Sequence, residues 1–424
     1  MGKLNRLLHS VVPEPMYRGR TAFPPLSRAS QELDRCTSVA AAVEILNRAK
    51  PELCQRLLPS FPSPLAEALT LKILNLLLAR YHFQARSTSL LSRPFGLVVD
   101  PSNVCQLACP GCVHSERSAA LQLFDWPKGT LSETRLSALL KRYSPYTIGM
   151  LFYNYGEPLL NLNTPRLIRM AKWCLMETSI STTLSVQRFD AEAYVESGLD
   201  LVNLSIDGAT QSVYERFRRN GDLELVLGNL RKLVDAKRRL RRHYPVLAWN
   251  FLAFEHNVHQ IPLAARMARK MGVDIFRVVE PFDVSWDDSQ IRPAALQAGV
   301  AGVRRLNWLA LATRPSNWNP FPDSVDGRAI LEAYENPWSG PAADDSPPNP
   351  GHSCHWLYKN MVMDATGRIM PCCGSPRPDV NLVFGRFDGN GGDPFNSEKY
   401  RQARTWFSGD VAPRLDAPHC TQCV

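Results

Sequence analysis

The chain has 424 residues, 45% apolar and 21% charged, with 9 Trp, 12 Tyr and 17 Phe. This composition supports a substantial core in two or three units and excludes wholesale disorder, a coiled coil or a low-complexity fibre. The net charge is +9, and residues 1–95 hold 13 Lys and Arg against 6 Asp and Glu; that excess reads as solvated surface, with an acidic partner or anionic membrane surface as the alternative.

No apolar h-region follows Met1, and position 6 is Arg rather than Ser or Thr, so neither a signal peptide nor N-myristoylation is expected. No run of about 18 uncharged apolar residues exists, so no membrane span is expected and the chain reads as cytoplasmic. The 33 prolines predict long irregular connections. Residues 1–94 form a helical segment, with one helix over 38–46 limited by Pro51 and a second over 64–80. From residue 95 strands and helices alternate. Strands are predicted at 96–100, 148–153, 182–186, 201–206, 246–252 and 275–279. Between them Leu223, Leu227, Leu230, Leu233 and Val234 share one helical face. Six such units predict an α/β fold, a parallel sheet curved into a partial (β/α)6 barrel over 95–285. Residues 286–350 read as an insertion or linker with one or two short helices over 293–311, and residues 351–424 as a small metal-held domain with a helix near 399–407. The run Lys237–Arg242 reads as solvated cations at a helix end, with a nucleic-acid patch as the alternative.

Eleven cysteines without an export signal point to metal rather than disulfides. Cys105, Cys109 and Cys112 form C-x3-C-x2-C just after the first strand. Three local thiolates can hold one corner of a [4Fe–4S] cube and leave an iron open; zinc with a distant fourth ligand, or three small buried residues, are the alternatives.

The motif, on the loop after the first strand, resembles the signature of the radical S-adenosylmethionine (SAM) superfamily. The resemblance implies that Cys105, Cys109 and Cys112 hold a [4Fe–4S] cluster whose open iron binds SAM. One electron then breaks the sulfonium–C5′ bond, and the 5′-deoxyadenosyl radical takes hydrogen from a substrate. Gly156, Glu157 and Pro158 resemble the Gly-Glu-Pro motif that meets the methionine amino group, and Ser185 and Gln187 the ribose contacts. The stretch from Ser205 to Thr210, with Tyr214, Arg218, Gly221 and Asp222, resembles members with an added C-terminal cluster domain. Arg218 is the candidate for the SAM carboxylate, and Asn250, Phe251 and Leu252 would lie beside adenine.

Cys354, Gly367 and Cys372 stand as C-x12-G-x4-C, and Cys420 and Cys423 form C-x2-C. A hairpin of strands 361–363 and 368–370 turning at 364–367 would bring Cys354 and Cys372 together. This pattern resembles the Twitch subdomain, the shortened SPASM domain. It implies a second, auxiliary [4Fe–4S] cluster on Cys354, Cys372, Cys420 and Cys423, with Cys373 able to replace Cys372 and a four-Cys zinc ribbon as the alternative. His355 and His419 read as neighbours of ligands.

The expected function is oxidation or related tailoring of a small polar metabolite, a sugar or aminocyclitol, with electrons from a flavodoxin- or ferredoxin-type donor and no nucleic-acid partner. A peptide maturase and a non-enzymatic iron–sulfur scaffold or electron carrier are the alternatives. Asp364, Asp283 and Glu280 are candidates for the base that removes the substrate proton.

Overall fold

The structure is a computed structural model and describes residues 24–59, 63–115, 127–281, 291–294, 302–305, 354–372, 383–389 and 391–408. Three helices come first: α1 (Pro24–Leu33), α2 (Val39–Leu57) and α3 (Ser63–Ala85). The helix predicted to stop at Pro51 instead runs through it to Leu57. Leu46, Leu53, Cys54 and Leu57 are buried on its inner face, against Ile73, Leu74, Leu77 and other side chains of α3; that burial offsets the lost proline N–H.

Helix α3 is buried on nearly every side, including its polar residues. Lys72 Nζ donates to the Ser144 and Thr147 carbonyls, and Asn75 brackets Arg93 by accepting from its N–H and donating to its carbonyl. Burial pulls the Lys72 ammonium down to about 7. The predicted leader is thus a layer packed on the rest of the molecule, joined to it by polar groups that saturate backbone at the ends of other elements.

The α/β part follows: β1 (Gly96–Val99), α4 (Glu133–Tyr143), β2 (Gly149–Leu151), α5 (Thr164–Trp173), β3 (Glu177–Thr182), α6 (Ala191–Glu196), β4 (Leu201–Ser205), α7 (Gln211–Phe217), α8 (Leu223–Arg239), β5 (Val246–Leu252), α9 (Ile261–Met271) and β6 (Ile275–Val279). Strands β1 to β6 are parallel neighbours in sequence order, as right-handed crossovers dictate. Helices α4, α5, α8 and α9 bury apolar faces against the outer side of the sheet, in one continuous core. The later elements are β7 (Gly302–Arg305), α10 (Trp356–Lys359), β8 (Asn360–Met363), β9 (Arg368–Met370), β10 (Gly385–Arg386) and α11 (Glu398–Ser408). Among the described residues the sheet has ten strands in the order β10-β9-β8-β1-β2-β3-β4-β5-β6-β7 and does not close. It is a mixed α/β fold with a mainly parallel, unclosed sheet, the partial-barrel class expected.

Two expectations need correction. The third strand lies at Glu177–Thr182 rather than 182–186, because chain pairing with β2 begins at Glu177 and Leu184 turns into the left-handed region at φ 55°. Its Thr and Ser side chains gave no apolar signal. Within the helix predicted over 293–311, residues 302–305 are a strand antiparallel to β6, and Pro293 bridges Phe254. The short run Val303-Arg304-Arg305 satisfies the free backbone edge of β6, which outweighs local preference.

The hairpin β8–β9 forms as predicted, but β8 also pairs in parallel with β1, Gly96 to Asn360 through Val99 to Met363. Arg404 of α11 pins this region. Its buried guanidinium donates to the carbonyls of Leu357, Thr88 and Phe395 and to Asn396 Oδ1, and it stacks on Phe395, Tyr400 and Tyr358.

Candidate active site

The loop after β1 carries the first cysteine group. Asp100, fully buried at the strand end, accepts from the N–H groups of Tyr155 (2.9 Å) and Gly156 (3.4 Å). Burial pushes its carboxyl up to about 7, and the nearby Asp364 carboxyl adds to the rise. This ties the cysteine loop to the loop after β2. At Gly156 a Cβ would overlap the Ser102 carbonyl and lie 2.8 Å from Asn103 Cα, so only glycine lets the two loops meet.

Cys105, Cys109 and Cys112 stand on this one loop, and none is in a disulfide. The Cys112 N–H donates to the Cys109 carbonyl at 3.1 Å, and Gly111 supplies the left-handed turn between them at φ 74°. Cys109 packs with Leu107, Phe217 and Phe254, and Cys105 and Cys112 border the same apolar group. Burial raises the Cys109 thiol to about 11 and raises Cys105 further, with the Glu157 carboxylate adding to Cys105. Among the described residues no three His, Cys, Asp or Glu side chains gather closely enough for a single metal ion. Three thiolates spaced along a loop suit a cube that offers each a separate iron; zinc requires all ligands about one bond length from one point. The donor set therefore fits a [4Fe–4S] cluster.

Arg218, the residue after α7, donates from Nε to Asp207 Oδ2 at 2.5 Å and reaches Cys109 Sγ with Nη1 at 3.8 Å. Asp207 is fully buried, and its other oxygen accepts from the Leu252 N–H at 2.7 Å. Burial acts most strongly and lowers the Arg218 guanidinium, but the Asp207 charge and hydrogen bond, with Cys109 and Tyr214, together outweigh it and the net shift is upward. Half of the fork expected for a carboxylate ligand is thus already engaged by Asp207, while the positive charge stands beside a cysteine.

Glu157, of the same motif as Gly156, turns its side chain to the scaffold. Its buried carboxylate accepts from Thr182 Oγ1 (2.6 Å), Thr183 N (2.9 Å), Thr183 Oγ1 (2.8 Å) and Leu159 N (3.2 Å). It joins the β2 loop to the end of β3. Pro158 opens a single 3-10 turn after it. Ser185 is buried, its carbonyl accepting from Gln106 Nε2 and its hydroxyl from the Asp222 N–H, whereas Gln187 is exposed. Ser205 ends β4 beside Ser181, and Leu252 ends β5.

A cavity of about 810 Å³ occupies the concave side of the sheet. Its wall includes Tyr153, Ser179, Ser181, Asn203, Asn250 and Arg277. Ser179 and Ser181 stand two apart on β3, and Asn203, Asn250 and Arg277 fall on the same face of β4, β5 and β6, the side-chain alternation of strands. That alternation is the sequence signal for a polar lumen, and the sequence reading did not use it. Ser205, Asn250 and Arg277 are in register across β4, β5 and β6.

Of the second cysteine group, Cys354 and Cys372 are half-buried and in no disulfide, and Cys373, Cys420 and Cys423 lie outside the described residues, as does His419. The hairpin register carries residue 372 to the level of Asn360, one helical turn from Cys354. Asn360 pairs with Gly96, so the register puts this level of the hairpin at the start of β1, the end opposite the Cys105 loop. Among the candidate bases, Asp364 is spent on the turn, accepting from Thr366 N, Thr366 Oγ1 and Arg368 N; Glu280 is exposed, and Asp283 lies outside the described residues. In the basic run, Lys237 makes a buried pair with Asp274 at 2.9 Å, and Arg238 and Arg239 meet Asp235 and Glu192.

Parallel strands with a cysteine loop after the first of them and a cavity on the inner face of the sheet define an α/β protein of the partial-barrel class. Residues 99–247 match the family model of the Radical SAM superfamily. That family uses a [4Fe–4S] cluster and SAM, and its members are enzymes. A probable GTP 3′,8-cyclase of Methanococcus maripaludis is 25% identical over 189 residues, 44% of this chain and 58% of the relative. The PqqA peptide cyclase of Gluconobacter oxydans is 24% identical over 202 residues, 47% of this chain and 52% of the relative. The chain therefore spans little more than half the length of these curated relatives. Streptococcus suis SuiB bound to S-adenosylmethionine is 14% identical, covers 80% of this chain and 71% of its own, and has a TM-score of 0.41. Among the described residues no helix is long and apolar enough to cross a membrane.

Proposed function

We propose that this chain cleaves SAM reductively at the mouth of the half-barrel and uses the resulting radical to tailor a small polar metabolite held in the lumen. The observation that carries this reading is the three cysteines, none in a disulfide, on the one loop that follows β1, in a sheet whose inner face holds a cavity of about 810 Å³. Cys105, Cys109 and Cys112 would hold the [4Fe–4S] cluster, which when bound supplies the electron that breaks the sulfonium–C5′ bond. Arg218 brings a positive charge to Cys109 and favours its thiolate. Asp100 and Glu157 act as positioning residues, fixing the cysteine loop and the Gly156 turn against β3. The backbone at Gly156 and Pro158, with Ser185, Gln187, Ser205 and Leu252, would line the cofactor at the strand ends. Asn250 lies two residues below the end of β5 and leaves this set for the lumen.

Cys354, Cys372, Cys420 and Cys423 would hold a second cluster below the lumen. Oxidation is the outcome such a pairing favours, with an alcohol carbon losing a hydrogen atom, a proton and one further electron. The electron donor would be a flavodoxin or ferredoxin.

The test is anaerobic reconstitution followed by iron and sulfide counting, and SAM with dithionite. About eight irons per chain and 5′-deoxyadenosine are expected, falling to about four irons in the Cys105→Ala, Cys109→Ala, Cys112→Ala variant. Colourless, zinc-loaded protein that leaves SAM intact refutes the reading.

A further inference from the structure

The lumen wall is neutral over most of β3 to β5, but β6 places Arg277 in its centre. Among the described residues its hydrogen-bond acceptor is the amide oxygen Asn203 Oδ1, at 3.2 Å, and no carboxylate lies within ion-pair distance. Most of the guanidinium N–H groups are thus left to the cavity. Such a cation, half-buried beside a neutral partner, loses hydration without gaining a counter-ion, and burial shifts its acidity in that sense. The other ionic side chains of the same wall, Glu177 and Lys359, stand at or near the opposite end of the strands: Glu177 pairs with Gly149 at the start of β2, and Lys359 precedes β8. In the row of Arg277, one strand away, Asn250 donates to the same Asn203 oxygen (3.3 Å) while its own Oδ1 is buried without a partner. Side by side stand a fork of unused donors and one unused acceptor.

We propose that Arg277 is the anchor for an anionic group, a carboxylate or a phosphate, on the substrate, and that Asn250 Oδ1 accepts from a hydroxyl or amino group of the same molecule. This rests on the lumen being the substrate chamber of the function proposed above. Guanidinium pairs with either anion through two parallel bonds, which fixes orientation as well as charge. Arg277 lies two residues below the end of β6, about 7 Å along the strand, so the anion sits beneath the level of the strand ends. The carbon that loses hydrogen would then face upward, toward the Cys105 loop. Uncharged sugars and aminocyclitols, which carry only hydroxyls and ammonium groups, would leave the fork unpaired, and an acidic or phosphorylated substrate follows instead.

The experiment uses reconstituted full-length protein saturated with SAM. Calorimetric titration with inorganic phosphate and, separately, with succinate compares the wild type with Arg277→Gln and Arg277→Lys. One of the two anions is expected to bind the wild type at millimolar concentration, at least tenfold more weakly to Arg277→Gln and with intermediate affinity to Arg277→Lys, which keeps the charge without the fork. Phosphate binding identifies a phosphorylated substrate, succinate binding a carboxylic acid. Should Arg277→Gln fail to fold, a several-fold loss in Arg277→Lys alone supports the assignment. Binding to neither anion, or equal affinity in wild type and variants, overturns it. Wild-type 5′-deoxyadenosine formation is measured on the same samples. Its presence with no Arg277-dependent anion binding sinks this inference alone, and its absence sinks the proposed function.

Discussion

Replacing Glu157 by glutamine exchanges one oxygen for an amide nitrogen at the joint between the β2 loop and β3. One carboxylate oxygen accepts from Thr182 Oγ1 and Leu159 N, the other from Thr183 N and Thr183 Oγ1. A hydroxyl can rotate to accept from the new NH2, but a backbone N–H cannot. Whichever way the amide is turned, either the Leu159 or the Thr183 N–H therefore faces a donor. The lost charge-assisted bond is worth about 1.5–3 kcal/mol, and the stranded buried donor adds about 1–3 kcal/mol. Removing a buried charge, whose carboxyl burial raises above the ordinary range, returns part of this, about 1 kcal/mol. A net loss of about 2–4 kcal/mol is expected. Urea unfolding of the apoprotein by circular dichroism reads it, and hydrogen exchange at the Thr183 amide localises it. An unchanged midpoint together with unchanged exchange at Thr183 would refute the clamp and restore Glu157 to the cofactor.

Asp100→Asn tests the other tie. Its carboxyl titrates higher in the folded chain, near 7 against an ordinary value of 3.8, so its ionisation opposes folding: stability from this group is full below about pH 4 and is lost as pH rises toward 7. The asparagine variant keeps an oxygen for the Tyr155 and Gly156 N–H groups and should flatten that slope; an identical pH–stability curve for both proteins refutes the assignment. Gly156→Ala drives a Cβ into Ser102 and should lower the thermal midpoint and the iron content of reconstituted protein together; normal loading counts against the close loop approach. Arg404→Met strands the carbonyls of Leu357, Thr88 and Phe395 and should cost about 3–5 kcal/mol, seen as aggregation or a large drop in the unfolding midpoint; a loss under about 1 kcal/mol shows that water replaces the guanidinium.

Strands β5 and β6 coincide with the apolar runs 246–252 and 275–279 because both of their faces are largely covered, so that pairing and burial give the same signal. Strand β3 escaped because Ser179 and Ser181 face the lumen, where no core selects apolar residues, while on the opposite face Thr178 and Thr182 bond to Asp200 and Glu157. The cysteine loop was legible because thiolate chemistry requires spacing within a few residues. Asp100, Asp207 and Arg277 were not, since each acquires meaning from a partner on another strand or loop. The motif drew attention to Glu157, but not to its four donors from its own turn and the end of β3, which only the fold brings together.

The parallel pairing of β8 with β1 has a consequence for how the protein is made. Strand β1 leaves the ribosome early, yet its second neighbour is translated more than 250 residues later, so the edge beside the cysteine loop stays bare through most of synthesis. Met363 supplies the carbonyl that receives the Asp100 N–H, and until it arrives the root of that loop is untied. Iron loading is therefore expected to follow release of the finished polypeptide, and nascent chains stalled before residue 360 should need a chaperone to shield the naked strand.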